Sequence, residues 1–297
     1  MKKIFLSLLL TLHAAACAQE NPAKTTIHFR AYLAPSIPKE LYQLIADYIN
    51  RTTSLDIVLS FECMYSGPPR SFRDPFAAHK IDIAHICSPS FIWLTSRKNP
   101  SIELLAIAPI FKDERACGKP IYFSDVIVTA DSTIKNFKEF QAKRWCYNDT
   151  ESLSGYFCLL QKLTEIKQPT SFFSKLYGSG NHLNSIELII NGVVDGSAID
   201  SNVLALQLKN DPTLQQKIKV IESWGPFPIQ PLVVRKDLPD NIKKIFINAL
   251  LQMAVDEKDA LAEYLIDGFG PIADENFEGA RKLLYECEQH ILNNISE

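Results

Sequence analysis

A β-rich run from Thr25 to Tyr32 (TTIHFRAY) leads into a helical pattern, Pro38 to Asn50 (PKELYQLIADYIN), and then into Asp56 to Phe61 (DIVLSF). That order and spacing constrain the chain more than any other feature. Two strands separated by a helix make a parallel βαβ unit, and parallel sheets need helices on their faces. Proline in the first turn and Leu41, Leu44, Ile45, Tyr48 and Ile49 at helical spacing support the middle element. A third strand, Ile81 to Ile86, continues the pattern. The chain is α/β from its first ordered segment onward.

The same alternation runs to the C-terminus. Strands are expected at Leu104–Ile110, Ile121–Thr129, Arg144–Tyr147, Val194–Ile199, Lys219–Glu222 and Gln230–Arg235. Helices are expected at Ile134–Ala142, from Ser154 to about Ile166, and at Asn184–Asn191, the last closed by Gly192. After Pro239 the pattern is helical: Asn241–Asp256, Asp259–Ile266 and Glu275–Leu292. No repeat or flexible linker divides the 297 residues, which suits two lobes between which the chain crosses twice.

The N-terminus reads as an export signal, 1–18. Met1-Lys2-Lys3 is a basic start, Ile4 to Leu12 is apolar but too short to span a bilayer, and small residues follow. Two processing routes compete. Ala16-Cys17-Ala18 fits ordinary cleavage, and Ala14-Ala15-Ala16-Cys17 resembles a lipobox that would leave Cys17 lipid-anchored. Export permits disulfides among Cys63, Cys87, Cys117, Cys146, Cys158 and Cys287, and one or two bridges beside buried thiols are expected. No C-x-x-C or Cys/His spacing suggests a metal, and no cofactor is expected. The formal charge of −3 gives no attraction for nucleic acid.

Three segments carry polar groups to helix starts. Ser152-Leu153-Ser154-Gly155 precedes a helix, where free N–H groups, the helix dipole and two hydroxyls would hold an oxyanion without any cation. Gly155 would let the backbone approach closely. In isolation the turn fits a plain serine cap better than an anion site. His182, in Ser179-Gly180-Asn181-His182, could donate from its ring, and Asp200, Ser201 and Asn202 emerge at a strand end. Asp200 could bind a ligand cation, orient a donor or cap the next helix.

Taken together and in order, these motifs resemble the phosphonate-binding branch of periplasmic solute-binding proteins, the receptors of ABC importers for phosphate, phosphite and phosphonates. The series runs Lys80-Ile81-Asp82-Ile83-Ala84, Ser152-Leu153-Ser154-Gly155, Ser179-Gly180-Asn181-His182 and Val194 to Ser201. Pro226-Phe227-Pro228 and Pro231-Leu232-Val233-Val234-Arg235-Lys236-Asp237-Leu238-Pro239 complete it, and Tyr32 stands where a ligand-facing tyrosine is expected. The chain departs from the pattern at Cys87 for glycine, Phe91 for tyrosine, Leu153 for a hydroxyl residue and the additional Asn181. Each donor lost to a buried oxyanion should cost about 1.5–3 kcal/mol.

The resemblance implies a type II periplasmic binding protein: two Rossmann-like lobes on a two-segment hinge. Lobe 1 would take 25–124 plus 233–297, and lobe 2 would take 125–232. It implies an exported monomer, periplasmic or lipid-anchored, that binds a small anionic ligand and docks on an ABC permease. Ligand contacts are expected from Tyr32, Ser152, Ser154, Gly155, His182, Asp200, Ser201 and Asn202, with Phe91, Leu153 and Trp224 as further cleft residues. No G-x-S-x-G elbow or triad order points to an enzyme. The alternatives are a sensory module signalling to a membrane kinase, an enzyme with a cysteine or serine nucleophile, and a binder of a non-phosphorus organic anion or pyrimidine-like precursor.

Overall fold

The computed structural model describes residues 24–295; the export signal and Cys17 lie outside them. The strands are β1 (Thr25–Tyr32), β2 (Leu55–Glu62), β3 (Ile83–His85), β4 (Ile102–Leu104), β5 (Ala108–Phe111), β6 (Ile121–Thr129), β7 (Arg144–Tyr147), β8 (Lys175–Gly178), β9 (Gly196–Asp200), β10 (Ile218–Pro228), β11 (Leu232–Arg235) and β12 (Ile266–Gly270). The α-helices are α1 (Lys39–Thr52), α2 (Ser88–Thr95), α3 (Cys158–Glu165), α4 (His182–Ile190), α5 (Ser201–Asn210), α6 (Asp240–Asp256), α7 (Lys258–Ala262) and α8 (Glu278–Ile295).

The two main sheets repeat one plan. The first has the order β2-β1-β3-β11-β4, and the second, read from its far edge, β8-β7-β9-β6-β10. Within each, the three strands of the local run are parallel. The strand that arrives from the other half is inserted antiparallel, β11 beside β3 and β4, β6 beside β9 and β10. This is the type II arrangement. Arg235 at the end of β11 pairs with Asp82 at 3.0 Å, and the same carboxylate accepts the His28 N–H of β1 at 2.9 Å. That charge-assisted bond ties the late strand to the earliest one.

Periodicity explains what is buried. Helix α1 turns Leu41, Tyr42, Ile45, Ala46, Tyr48 and Ile49 inward, and with β1 and α6 they form the core of the first half. A second cluster is shared. It runs from Phe91 and Phe277 in the first half through Leu153 and Phe157 to Tyr122, Trp145 and Trp224 in the second. Helix α8 lies against α2 on one side of this seam and α3 on the other. The halves therefore meet over packed apolar surface as well as polar contacts.

Several elements differ from the sequence expectation. The run Leu104–Ile110 is two short strands, β4 and β5, with the chain turning between them. Ile134–Ala142 is not an α-helix: only Phe137–Phe140 coils, as a single 3₁₀ turn capped by Asn136. The helix expected at Asp259–Ile266 stops at Ala262; Ile266 begins β12, which pairs with β5. The strand expected at Lys219–Glu222 extends from Ile218 to Pro228 through register shifts. All six described cysteines are free thiols, so no bridge forms among them. Cys87, Cys146, Cys158 and Cys287 are buried, and Cys63 and Cys117 are exposed.

Candidate functional site

The serine turn follows β7 and starts a wide helical turn, Leu153–Phe157, that runs into α3. Its Phe157 N–H reaches Ser152 O, five residues back, at 3.1 Å. Such π-turns concentrate at functional sites. Ser152 is its cap: Oγ accepts the Gly155 N–H at 3.1 Å. Ser152 Oγ lies 3.5 Å from Ser154 Oγ, which lies 3.1 Å from His182 Nε2. A Cβ at Gly155 would stand 1.8 Å from Asn148 Oδ1 and 3.3 Å from its backbone nitrogen, so a larger residue there would displace the carboxamide. Ser152, Ser154, Gly155 and His182 thus form one connected group.

His182 opens α4 and is 1% exposed. Burial pushes its ring pKa down to about 3, so the ring is neutral and its Nδ1 is left with no partner within the protein. Asn181 caps α4 by accepting the Asn184 N–H at 2.8 Å. Ser36, from the other half, also accepts there: its Oγ takes the His182 N–H at 3.1 Å and the Leu183 N–H at 3.4 Å. Ser36 holds φ at 68°, a left-handed conformation uncommon for a non-glycine residue.

The first half presents a helix start to the same seam. Helix α2 begins Ser88-Pro89-Ser90, after Cys87. Cys87 Sγ accepts the Leu153 N–H at 3.4 Å, so the two helix starts oppose each other directly. The Ser66 N–H crosses to Asp149 Oδ2 at 3.0 Å. Positive helix ends facing one another favour negative charge between them. The hydroxyls of Ser66, Ser88 and Ser90, the Asn148 carboxamide, the Tyr122 hydroxyl beside Ser154 and the Asn202 amide nitrogen are all buried without a hydrogen-bond partner within the protein. An unmade buried polar group costs about 1–3 kcal/mol, and several gathered at one seam mark a place where a polar molecule can repay it.

The remaining expected residues divide. Tyr32 ends β1 nearly buried, with its phenol pKa raised chiefly by burial and further by Glu151 across the seam. Asp200 is used within the fold: its carboxylate accepts the Asn202 and Val203 N–H groups at 2.8 and 3.4 Å, capping α5, and Gln230 Nε2 at 2.6 Å. Burial raises its pKa to about 6. Ser201 Oγ accepts the Phe123 N–H at 3.0 Å. Phe91 packs on Phe277, centroids 4.8 Å apart, and Trp224 lies among Phe137 and Trp145 with its indole N–H donated to Glu222. These two aromatics, expected as further cleft residues, pack among other rings of the shared core. Leu153 is fully buried.

Sequence reasoning passed over Ser66, Ser88, Ser90, Tyr122 and Asn148. The doublet Ser88-Pro89-Ser90, with proline in a first helical turn, was the legible signal, since it mirrors Ser152-Leu153-Ser154. Among the described residues no group of three or more His, Cys, Asp or Glu could hold a metal ion, and no helix is long and apolar enough to cross a membrane.

Two halves with the same strand plan, a double crossing and opposed polar helix starts define a solute-binding protein of type II periplasmic architecture. The chain belongs to the family of ABC transporter phosphonate periplasmic substrate-binding proteins, whose model matches residues 30–277. Membership implies a small ligand, an ABC permease as partner and export to the periplasm. The fold is similar to that of a binding protein component of an ABC phosphonate transporter from Pseudomonas aeruginosa. That match has a TM-score of 0.76 and 19% identity, over 91% of this chain and 89% of the other. PhnD1 from Prochlorococcus marinus, solved with methylphosphonate, gives 0.71 and 16% over 89% and 97%. The aliphatic sulphonate binding protein SsuA from Escherichia coli gives 0.59 and 12% over 93% and 89%.

Proposed function

We propose that this protein captures a small oxyanion of the phosphonate, phosphite or phosphate class between its halves and delivers it to an ABC permease. The observation that carries the reading is the meeting of two serine-bearing helix starts, with Ser154 touching both Ser152 and His182 at one and Ser88 and Ser90 buried and unpartnered at the other. Lobe 1 is 25–120 with 232–297 and lobe 2 is 121–231, which keeps β6 and β11 whole within their sheets, and closure about the two crossings brings the helix starts together. Ser152, Ser154, Gly155 and His182 hold the anion, with Tyr32 and Asn202 at its margin. Asp200 and Ser201 act by fixing the start of α5.

No bond chemistry is proposed. A base in a nucleophilic triad is oriented by a third group, whereas His182 Nδ1 has no partner within the protein. The buried Cys87 thiol is pushed up to about 12, away from the nucleophilic thiolate. The protein acts as a monomer in this scheme.

The test is a thermal-shift screen with phosphate, phosphite, methylphosphonate, aminoethylphosphonate, sulfate and methanesulfonate. A ligand at a hundred times its Kd should add about 2.7 kcal/mol. Replacing Ser152 and Ser154 together by alanine should remove the shift from a protein that still folds. No response to any phosphorus oxyanion would defeat the proposed ligand class.

A further inference from the structure

Leu153 occupies a position where the serine turn lacks a hydroxyl, and its side chain is wholly buried in the core shared by the halves. Its backbone N–H is also committed, to Cys87 Sγ. An oxyanion held at this turn therefore needs another donor. The residue before the turn offers one. Asn148 follows β7 directly, is 2% exposed, and both Oδ1 and Nδ2 of its carboxamide lack a partner within the protein. A structural asparagine earns its place by capping or bridging backbone groups, and this one does neither.

Its position is set by Gly155. A Cβ at residue 155 would come within 1.8 Å of Asn148 Oδ1, 2.9 Å of its Cγ and 3.3 Å of its backbone nitrogen. The carboxamide thus lies against the glycine Cα, at the same turn whose N–H is held by Ser152 Oγ. The first half repeats the device: a Cβ on Gly67 would lie 2.3 Å from Ser90 Oγ, another buried, unpartnered polar atom. In each half a glycine makes room for one polar side chain that the protein itself leaves unbonded.

We infer that Asn148 is a ligand residue of the oxyanion site, its Nδ2 hydrogens supplying the donor that Leu153 does not. This rests on the anion-binding reading above and names a contact within it. The amide is neutral, so it donates to a tetrahedral oxyanion without bringing a counter-charge into the seam. With Oδ1 against Gly155, Nδ2 is the end free to donate.

The test combines two substitutions with two measurements on the full exported protein. Asn148→Leu is close in volume and removes two unbonded polar atoms. Its unliganded melting temperature should equal or exceed that of the parent, while methylphosphonate binding, measured by titration calorimetry, weakens about ten- to a hundredfold. Asn148→Asp keeps the shape and places a carboxylate against the anion, and it should weaken methylphosphonate more than Asn148→Leu does at pH 8. Methylphosphonate bound by both variants as tightly as by the parent, with the Ser152/Ser154 double alanine still defective, would overturn the role of Asn148 and leave the site standing. An Asn148→Asp protein that binds normally, or an Asn148→Leu protein that melts well below the parent, would also overturn it, the latter by showing a structural role. A parent that responds to no phosphorus oxyanion would remove both readings together.

Discussion

Acidification from about pH 6 to about pH 5 acts on four groups in opposing senses. Burial pushes the His182 and His85 rings down to about 3 and about 4, so both stay neutral in the folded chain. Unfolded, they return to their ordinary 6.5 and take up protons, so each lowers stability as pH falls. Asp200 and Glu151 are raised, by burial first, to about 6 and about 7. They hold protons when folded and release them on unfolding, so each adds stability as pH falls. Nearly two protons bound by the unfolded chain are matched by nearly two on the folded one, and these four groups should give the parent almost no slope. Glu151→Gln removes one folded-state proton and should make stability fall by about 1.4 kcal/mol for each pH unit of acidification. His85→Gln removes one unfolded-state proton and should tilt the profile the other way, by about 1 kcal/mol per unit. Urea unfolding at three pH values in this window, followed by far-UV circular dichroism, gives the slopes directly. Two variants tilting in the same direction, or a parent as steep as either, would refute the argument.

Two further outcomes are open to simple measurement. With Cys17 replaced by serine, a thiol reagent should titrate Cys63 and Cys117 quickly and the four buried thiols only on unfolding; fewer than six under denaturing, non-reducing conditions would show a bridge. Gly196→Ala would place a Cβ 2.5 Å from the Phe140 ring and 3.1 Å from Ile127 O, and should cost about 1–3 kcal/mol by overpacking while leaving oxyanion binding intact. Equal melting temperatures for variant and parent would show that Phe140 can move aside.

Long elements with one strong period were legible in the sequence. β1, β6 and β7 fall where the β-branched and aromatic runs put them, and α1 lies within two residues of its expected bounds. The errors lie where tertiary pairing outweighs local preference. Ile266 belongs to a strand because β5 offers it an edge, and β10 continues through Trp224-Gly225-Pro226 because β6 lies alongside. The site was legible in part. Ser152, Ser154 and His182 stand out as polar groups at helix starts, but Asn148 and Tyr122 do not, because nothing local shows that a polar atom is both buried and unbonded. That property arises only when distant segments close around it. Asp200 was visible as a strand-end acid, and only the approach of Gln230 shows where its carboxylate is bound.

The placing of β11 between β3 and β4 carries a consequence for the order of assembly. Leu104 and Val233 are register partners although the whole second half lies between them. In that half, Ile121 and Pro228 are themselves partners, as β6 and β10 pair along their length. Once it has folded, the second half works as a staple, holding its own entry and exit side by side. The span of free chain to be gathered before β11 can enter its slot then shrinks about sixfold, which lowers the closure cost by about 1.6 kcal/mol. The middle of the chain should mature first, and the sheet begun by the first residues should be the last to be completed.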